Sequence, residues 1–532
     1  MPARADRMLQ AAVFFCGLAV MGIEMAASRL LAPYFGTSLF VWTNLIGSIM
    51  AALSAGYWLG GRLADRHPRH EVLYRIILGA GVLVAAVPYL TQPVMAVSVK
   101  AIDHGEAGLV VGSLLATILL FAVPIVLLGM VSPFAIRLAS QGEERLGKTA
   151  GSLYALSTFG SIAGTFLPAL LTIPLLGTRR TILAFAAVLI VVGAVGLARR
   201  AALAAPVVAL LVWMAPFGPI RDVDSAKLGV CLEEAESPYH YIQVLDKDGR
   251  RMLVLNEGQA VHSIYEGRDI EWKPMVGSVW DSMNALPLLV DRKPGSRLNV
   301  LIIGLAAGTV STELLHFFGK IYDLHVDGVE IDGRIVELGR RYFEMNQPRL
   351  SVSVADGRMY LARAQKKWDI IMGDAYRQPY IPFHLATREY FELVKERLAP
   401  GGLMSINVGS PSLAGPVAKR IVNTVASVFS NVQILHVINP PRSRFNNYVV
   451  IAGEREIDAT KLLPEPGRLA ERVVGLSGNN WLGALLSRRH GDLRPAELDP
   501  AAGILEDDRA PVELLTDFTI FEIASGSGKE QS

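Results

Sequence analysis

The sequence predicts two joined folds: an α-helical multi-pass membrane domain, then a small β-region leading into a doubly wound parallel α/β domain. Three observations predict it. Charge is unevenly spread: between Met8 and Ile220 there are 20 charged side chains in 213 residues, whereas the last 312 residues carry 77. That is about 9% against about 25%, and about 25% is the norm for soluble domains. Apolar stretches of spanning length recur through the first part. From Ser237 onward short apolar runs alternate with helical periodicity, and several runs end on glycine or a carboxylate.

The whole-chain figures set the bounds. The 532 residues are 51% hydrophobic and 19% charged, with a formal net charge of +2. So small a net charge argues against a nucleic-acid binder held by a basic surface. Two cysteines, Cys16 and Cys231, make neither a disulfide framework nor a CxxC metal site, so no metal is expected. Cys16 lies in an apolar run and reads as a small lipid-side or core residue. The first apolar segment is too long for a cleavable signal, and others follow it.

Apolar stretches run at about residues 9–33, 39–61, 76–99, 108–136, 149–177, 181–198 and 201–218. The first six approach or exceed the roughly 17–25 residues that cross a bilayer. The seventh contains Pro206 and Pro216 and is marginal. Spanning segments are helices here, because backbone in lipid must satisfy itself and no barrel-like alternation is present. Basic residues before the first stretch (Arg4, Arg7), after the second (Arg62, Arg66, Arg69, Arg75), after the fourth (Arg137, Arg145, Lys148) and after the sixth (Arg199, Arg200) fall on one side. That places the N-terminus in the cytoplasm. Arg179 and Arg180 are the exception. Six spans, with 201–218 lying in the interface, put the soluble part in the cytoplasm; seven put it outside. Within the first stretch Glu24 and Arg29 form either a polar intramembrane site or a packing contact. Gly60–Arg66 resembles a loop signature of major facilitator transporters, but six or seven spans are too few for that fold.

The soluble part reads in order. Tyr239–Leu245 and Arg251–Asn256 are predicted strands around an Asp246–Gly249 turn. A helical stretch ends near Val290. The run 299–303 suits a strand buried on both faces, and Gly304–Thr309 leads from it into a helix to Phe318. Further predicted strands are 325–331, 350–355, 368–373 and 403–408, with helices at 335–342 and 387–398. Alternation of this kind gives a parallel sheet whose ligands bind beyond the carboxyl ends of the strands. Gly304 and Gly308 let backbone approach a ligand. Glu330 is spaced to grip ribose hydroxyls, and Asp356 and Asp374 end the next two strands. Together they suit a nucleoside-containing ligand. Carboxylates that merely cap the following helices are the alternative.

Ser237-Pro238-Tyr239, Val300–Thr309, Val329-Glu330-Ile331-Asp332, Asp356-Gly357-Arg358, Asp374 and Leu398–Gly402 carry a resemblance to the spermidine synthase family, the polyamine aminopropyltransferases. With the apolar part in front, the chain resembles bacterial transmembrane spermidine synthase-like proteins, and Asp507-Asp508-Arg509-Ala510-Pro511-Val512-Glu513 looks like a C-terminal signature of that group. The resemblance implies a Rossmann methyltransferase-like domain that binds decarboxylated S-adenosylmethionine or S-adenosylmethionine as substrate. It implies a nucleoside site built from Gly304, Gly308, Glu330, Asp332, Asp356 and Gly357, with His240 a further contact. Asp374 would be the base beside the reacting amine, and Tyr376 would help orient that amine. Tyr239, Gln259 and Arg377 are substrate-side candidates. The implied partners are a small amine or S-adenosyl substrate and the lipid bilayer, with a homodimer admitted. The implied location is a bacterial inner membrane.

Departures from the family pattern accompany the matches. Ala307 stands at the acidic position of the glycine loop, and Tyr239-His240 replaces Tyr-Gln. Asp374-Ala375-Tyr376-Arg377 replaces Asp-Ser-Ser-Asp. Arg377 repels a diamine and suits a carboxylate, or pairs with a surface acid. Glu257, Glu266 and Asp269 are acidic candidates elsewhere. Two enzyme classes therefore follow: aminopropyl transfer from the decarboxylated ligand to an amine, releasing methylthioadenosine, or chemistry on intact S-adenosylmethionine by methyl transfer or attack within its side chain. A nucleoside-sensing transporter-like protein is the non-enzymatic alternative. The expected domains are 1–220 (helical membrane), 221–290 (β-region and connecting helix), 291–455 (Rossmann) and 456–532 (helical extension and tail).

Overall fold

A computed structural model of the chain describes residues 2–35, 39–100, 106–140, 146–197, 220–221, 228–256, 261–266, 279–376, 380–437, 446–477, 486, 492–513 and 515–516. The segment 201–218, Gln259 and Arg377 lie outside these residues, as do Glu257 and Asp269. The chain falls into two compact units. One is Met1–Asp224 with Glu234–Ile242 and Leu255–Gln259; the other is Ser225–Glu233 with Gln243–Val254 and Ala260–Ser532.

The first unit is built on helices. They are α1 (Pro2–Phe35), α2 (Leu39–Arg66), α3 (His70–Lys100), α4 (Glu106–Thr117), α5 (Val123–Gly129), α6 (Val131–Ala139), α7 (Leu146–Leu167), α8 (Ile173–Leu176) and α9 (Thr178–Leu197). Single π-turns at Ile118–Ala122 and Pro168–Thr172 join α4 to α5 and α7 to α8. Pro124 and Pro168 remove backbone donors there, which suits the wider turn. Among the described residues five helices are long and apolar enough to cross a membrane: Arg7–Phe35, His70–Ser98, Val111–Ala139, Gly147–Leu176 and Thr178–Leu197. The sequence reading had six such stretches up to residue 198. The stretch at 39–61 forms α2, a helix of 28 residues with no charged side chain before Arg62. Helices α1 and α7 approach at backbone distance. A Cβ on Gly160 would lie 2.1 Å from the Phe14 carbonyl oxygen, and one on Gly164 would lie 2.1 Å from that of Leu18. Small residues at such crossings let two helix backbones approach closely.

The Arg29 guanidinium donates to the carbonyl of Pro238. The Glu236 carboxylate accepts from the Thr178 amide at 2.7 Å and from the Thr178 hydroxyl, at the start of α9. A carboxylate satisfies orphan donors there and complements the helix dipole. Burial nevertheless pushes its pKa up.

Strands β1 (Val230–Glu236), β2 (Tyr241–Lys247), β3 (Arg250–Leu255) and β4 (Val261–Tyr265) form a sheet in that order. The predicted Asp246–Gly249 turn tightens to Asp248-Gly249, both at positive φ, which sets the hairpin. The sequence reading did not include β1 or β4.

The second unit holds an eight-stranded sheet. Its strands are β5 (Arg297–Ile303), β6 (Asp323–Glu330), β7 (Leu350–Val354), β8 (Trp368–Gly373), β9 (Leu398–Ser410), β10 (Asn431–Val437), β11 (Asn446–Gly453) and β12 (Leu493–Pro495). The order is β12-β10-β11-β9-β8-β5-β6-β7. The strands from β9 to β7 in that order are parallel, as expected from the alternation. The rest corrects the expectation of a wholly parallel sheet, since β11 runs antiparallel to β9, and β10 antiparallel to both β11 and β12. Strands β10 and β11 are separated only by residues 438–445, too few for a parallel crossover. Helices α10 (Val279–Met283) and α11 (Leu286–Leu289) precede β5; α12 (Thr309–Phe318), α13 (Gly333–Tyr342) and α14 (Gly357–Arg363) follow β5, β6 and β7. Helices α15 (Arg388–Arg397) and α16 (Pro416–Val428) flank β9, and α17 (Leu469–Ser477) follows β11. The sheet is buried on both faces. One face packs Leu298, Val300 and Ile302 against Leu314 and Phe318; the other packs Leu301, Ile303 and Ile371 against Phe391 and Ile421.

Candidate functional site

The strand order changes direction between β5 and β8, which lie side by side. A ligand site forms beyond the carboxyl ends of strands at such a switch point. The sequence-predicted residues Gly304, Glu330, Asp356 and Asp374 all follow or end strands on this edge.

The loop after β5 is shaped by its glycines. Gly304 has φ +87°, and a Cβ there would lie 2.6 Å from backbone atoms of Asp374 and Ala375. Only glycine lets the two strand ends meet so closely. Gly308, at φ +89°, opens α12. Ala306 adopts φ +50° without being glycine. Its amide donates to Glu330 at 2.9 Å. The other Glu330 oxygen accepts from the Asp332 amide at 3.1 Å. Glu330 is therefore buried and fixed, with its carboxylate against the glycine loop. Ser263 and Thr309 tie the loop to β4: the Ala307 amide donates to Ser263 Oγ at 2.9 Å, and the Ile264 amide to Thr309 Oγ1 at 2.8 Å.

Asp332 and Asp356 both cap helices. Asp332 accepts from the Arg334 amide at 2.9 Å and is buried. One Asp356 oxygen accepts from the Met359 amide at 2.9 Å, and the other lies 3.0 Å from His384 Nε2. Gly357 has a packing role, because a Cβ would meet Ile303 Cγ2 at 2.3 Å.

Asp374 follows β8 directly. Its amide donates to the Ile303 carbonyl at 2.8 Å, and its carboxylate accepts from Asn407 Nδ2 at 2.9 Å. Burial raises its pKa from 3.8 to about 6; hydrogen bonds from Asn407 and Trp280 oppose the rise. The Tyr376 hydroxyl is engaged by the β9 backbone, donating to the Asn407 carbonyl at 2.9 Å and accepting from the Gly409 amide at 2.5 Å. Burial holds that phenol protonated far above its usual range.

Tyr239 and His240 belong to the other unit, in a turn in which Ser237 Oγ accepts from the Tyr239 amide at 3.1 Å and the His240 amide at 2.9 Å. His240 is buried there and Tyr239 is exposed. Glu266 pairs with Arg250 at 3.5 Å. Asn407, Trp280, Ser263 and His384 escaped the sequence reading. Asn407 carried a faint signal as a polar residue inside an apolar strand; His384 sits in a loop and carried none. On α12, the buried Glu313 carboxylate accepts from Asn284 Nδ2 and lies in the field of Asp281 on α10. Burial first, then that neighbouring charge, keeps the Glu313 carboxyl well above the usual range. Among the described residues no group of three or more His, Cys, Asp or Glu is placed to hold a metal ion.

This arrangement can seat a nucleoside against Glu330 and Asp356 and offer a partly desolvated carboxylate to an acidic proton. The spermine/spermidine synthase domain family matches residues 282–460, which include Gly304, Glu330, Asp356, Asp374, His384 and Asn407 but not Trp280, Glu266, Ser263 or the Tyr239-His240 turn. A probable polyamine aminopropyl transferase of Bifidobacterium longum (strain NCC 2705) is 32% identical over 285 residues, covering 53% of this chain and 61% of the relative. A polyamine aminopropyltransferase of Vibrio vulnificus (strain CMCP6) is 29% identical over 240 residues, covering 44% of this chain and 74% of the relative. A solved structure of a probable spermidine synthase from Corynebacterium glutamicum ATCC 13032 aligns with a TM-score of 0.39 at 19% identity, over 50% of this chain and 96% of that one. The chain thus spans about three fifths of the first relative's length.

Proposed function

We propose, from the premise that residues 282–460 are a spermine/spermidine synthase domain with relatives named as polyamine aminopropyltransferases, that this chain transfers an aminopropyl group from decarboxylated S-adenosylmethionine to an amine. The observation that carries the reading is Asp374 at the switch point, with its pKa raised to about 6 by burial. A base with such a pKa is ionised at neutral pH yet keeps useful proton affinity. The amine nitrogen attacks the propyl carbon next to the sulfonium. The carbon–sulfur bond breaks, its electron pair returns to sulfur, and methylthioadenosine leaves as a neutral thioether. The proton lost by the amine goes to Asp374. Because the leaving group is already activated, the site's main work is alignment. Glu330 would hold the ribose and Asp356 the adenine amino group. The Tyr376 hydroxyl, held by β9, would orient Asn407 and through it Asp374.

The five apolar candidate spans support a place in the cell membrane, and with α2 as a sixth span the basic clusters favour a cytoplasmic catalytic domain. The test is incubation of purified full-length protein with a diamine and either sulfonium ligand, followed by mass spectrometry. Methylthioadenosine and an aminopropylated amine, formed from the decarboxylated ligand, are expected. S-adenosylhomocysteine, or methylthioadenosine formed from intact S-adenosylmethionine alone, would overturn the reading.

A further inference from the structure

The signature Asp507–Glu513 lies far along the chain from the strand ends, yet its first residue binds the element that begins with Asp356. Both Arg358 terminal nitrogens reach Asp507, Nη1 to Oδ1 at 2.7 Å and Nη2 to Oδ2 at 2.6 Å. Arg358 is the second residue of α14, and Asp356 caps that helix. The same Arg358 Nη1 donates to the His384 carbonyl at 3.1 Å. The His384 ring in turn meets the free Asp356 oxygen at 3.0 Å. Asp507 also accepts from Thr387 Oγ1 at 2.7 Å, and Thr387 caps α15 immediately after the His384 loop. One carboxylate therefore fixes Asp356 from two directions: through the helix it caps and through the histidine that orients it.

The rest of the segment anchors that carboxylate. The Leu505 amide donates to Thr424 Oγ1 at 2.9 Å, and the Leu505 carbonyl accepts from the Arg388 amide at 2.9 Å. The Asp507 amide donates to Glu389 at 3.1 Å, and Glu506 pairs with Arg388 at 2.8 Å. Leu505 and Val512 are buried against the outer face of the sheet. Further back, Asp499 pairs with Lys419 at 2.8 Å. A segment needed only to cover α15 and α16 would have its apolar side chains and these surface pairs. It would not need a two-pronged carboxylate aimed at Arg358.

We infer that Asp507 is a positioning residue of the nucleoside site: through Arg358 and His384 it holds the Asp356 carboxylate ready for the adenine amino group. The inference rests on the function proposed above. A fork-to-fork pair fixes direction as well as distance, which a lysine or a water could not do. Outer partners of this kind set how well a binding group is pre-arranged. The hydrogen bond from Arg358 also holds the Asp507 carboxyl below its usual range, so the pair stays charged across neutral pH.

The experiment is calorimetry on the full-length protein in detergent, with methylthioadenosine and methylthioinosine as probes. The variants are Asp507→Ala, Asp507→Glu, Arg358→Lys and, as a control that removes the surface pair with Asp499, Lys419→Ala. Asp507→Ala and Arg358→Lys should each weaken methylthioadenosine at least about tenfold, a change of about 1.4 kcal/mol. They should also narrow the preference for it over methylthioinosine, while turnover at saturating ligand stays within about threefold. Asp507→Glu should recover part of the affinity, and Lys419→Ala should bind as wild type does. If Asp507→Ala is too unstable to purify, Arg358→Lys keeps the charge and decides the question alone. Affinity and base preference unchanged in these variants would overturn the inference and leave the segment as a cover. A wild-type protein that binds neither probe would instead overturn the proposed function, and the positioning role with it.

Discussion

On the proposed reading the chemistry depends on the Asp374 carboxyl, which is held by Asn407 and Trp280. Asp374→Asn should keep ligand affinity and lower turnover by about 10²–10⁴-fold, because an amide cannot take the proton. Single-turnover assay beside calorimetry separates the two effects. The pKa of about 6 also fixes the sign of a pH dependence. The base works when ionised, so kcat/KM should rise as pH increases through about 6 and then level. Stability runs the other way over the same window. Between 3.8 and about 6 the folded chain holds a proton that the unfolded chain has released, so this group's contribution falls as pH rises through that range. Acid titration of unfolding in wild type and Asp374→Asn should show this slope only in the wild type. At Ala306 the left-handed φ of +50° is carried by a residue with a Cβ. Such a residue pays about 1–2 kcal/mol there. Ala306→Gly should therefore stabilise the domain by about 0.5–1 kcal/mol, after glycine's entropy is allowed for, measured by denaturant unfolding.

At the scale of the element, the glycine loop and the end of β8 are one unit of geometry. The Cβ that Gly304→Ala adds would meet backbone rather than a movable side-chain tip, at 2.6 Å. It also faces a φ of +87°. The loop must then move off Asp374, carrying Ala306 and its hydrogen bond to Glu330 with it. The expected result is a loss of about 1–3 kcal/mol in stability and a fall in nucleoside affinity larger than that of Gly295→Ala. Gly295 shares the positive φ but has open space around it, which makes it the control. Thermal unfolding and calorimetry on the two variants distinguish strain alone from strain at the site.

At the scale of the whole molecule, the proposed membrane topology puts the α/β domain on the cytoplasmic side. Cys231 is half-buried in β1, whereas Cys16 is buried in α1 and sterically shielded from a bulky reagent. A membrane-impermeant maleimide therefore reports on Cys231. The expected outcome is no labelling in intact cells and labelling after permeabilisation, as a cytoplasmic N-terminus followed by six spans requires. Labelling of intact cells would put the α/β domain outside the cytoplasm and overturn the proposed topology.

The sequence by itself determined the division into an apolar helical part and a charged α/β part, because lipid and water select residues by composition and period alone. It also determined the strand ends: Gly304, Glu330, Asp356 and Asp374 follow apolar runs long enough to be buried strands, and the alternation then leaves a parallel sheet as the economical arrangement. Trp368–Gly373 came out with its observed bounds for the same reason. The antiparallel edge was less legible, since β10, β11 and β12 differ from parallel strands in how they are connected rather than in what they are made of. Only the tertiary structure decided what each carboxylate touches. Asp332 turned out to cap a helix, and Tyr376 to bond the backbone of β9. Asn407 met Asp374 across 33 positions, and Asp507 met Arg358 across 149. Such contacts depend on where the sheet brings distant segments together, and no local pattern of residue types encodes that distance.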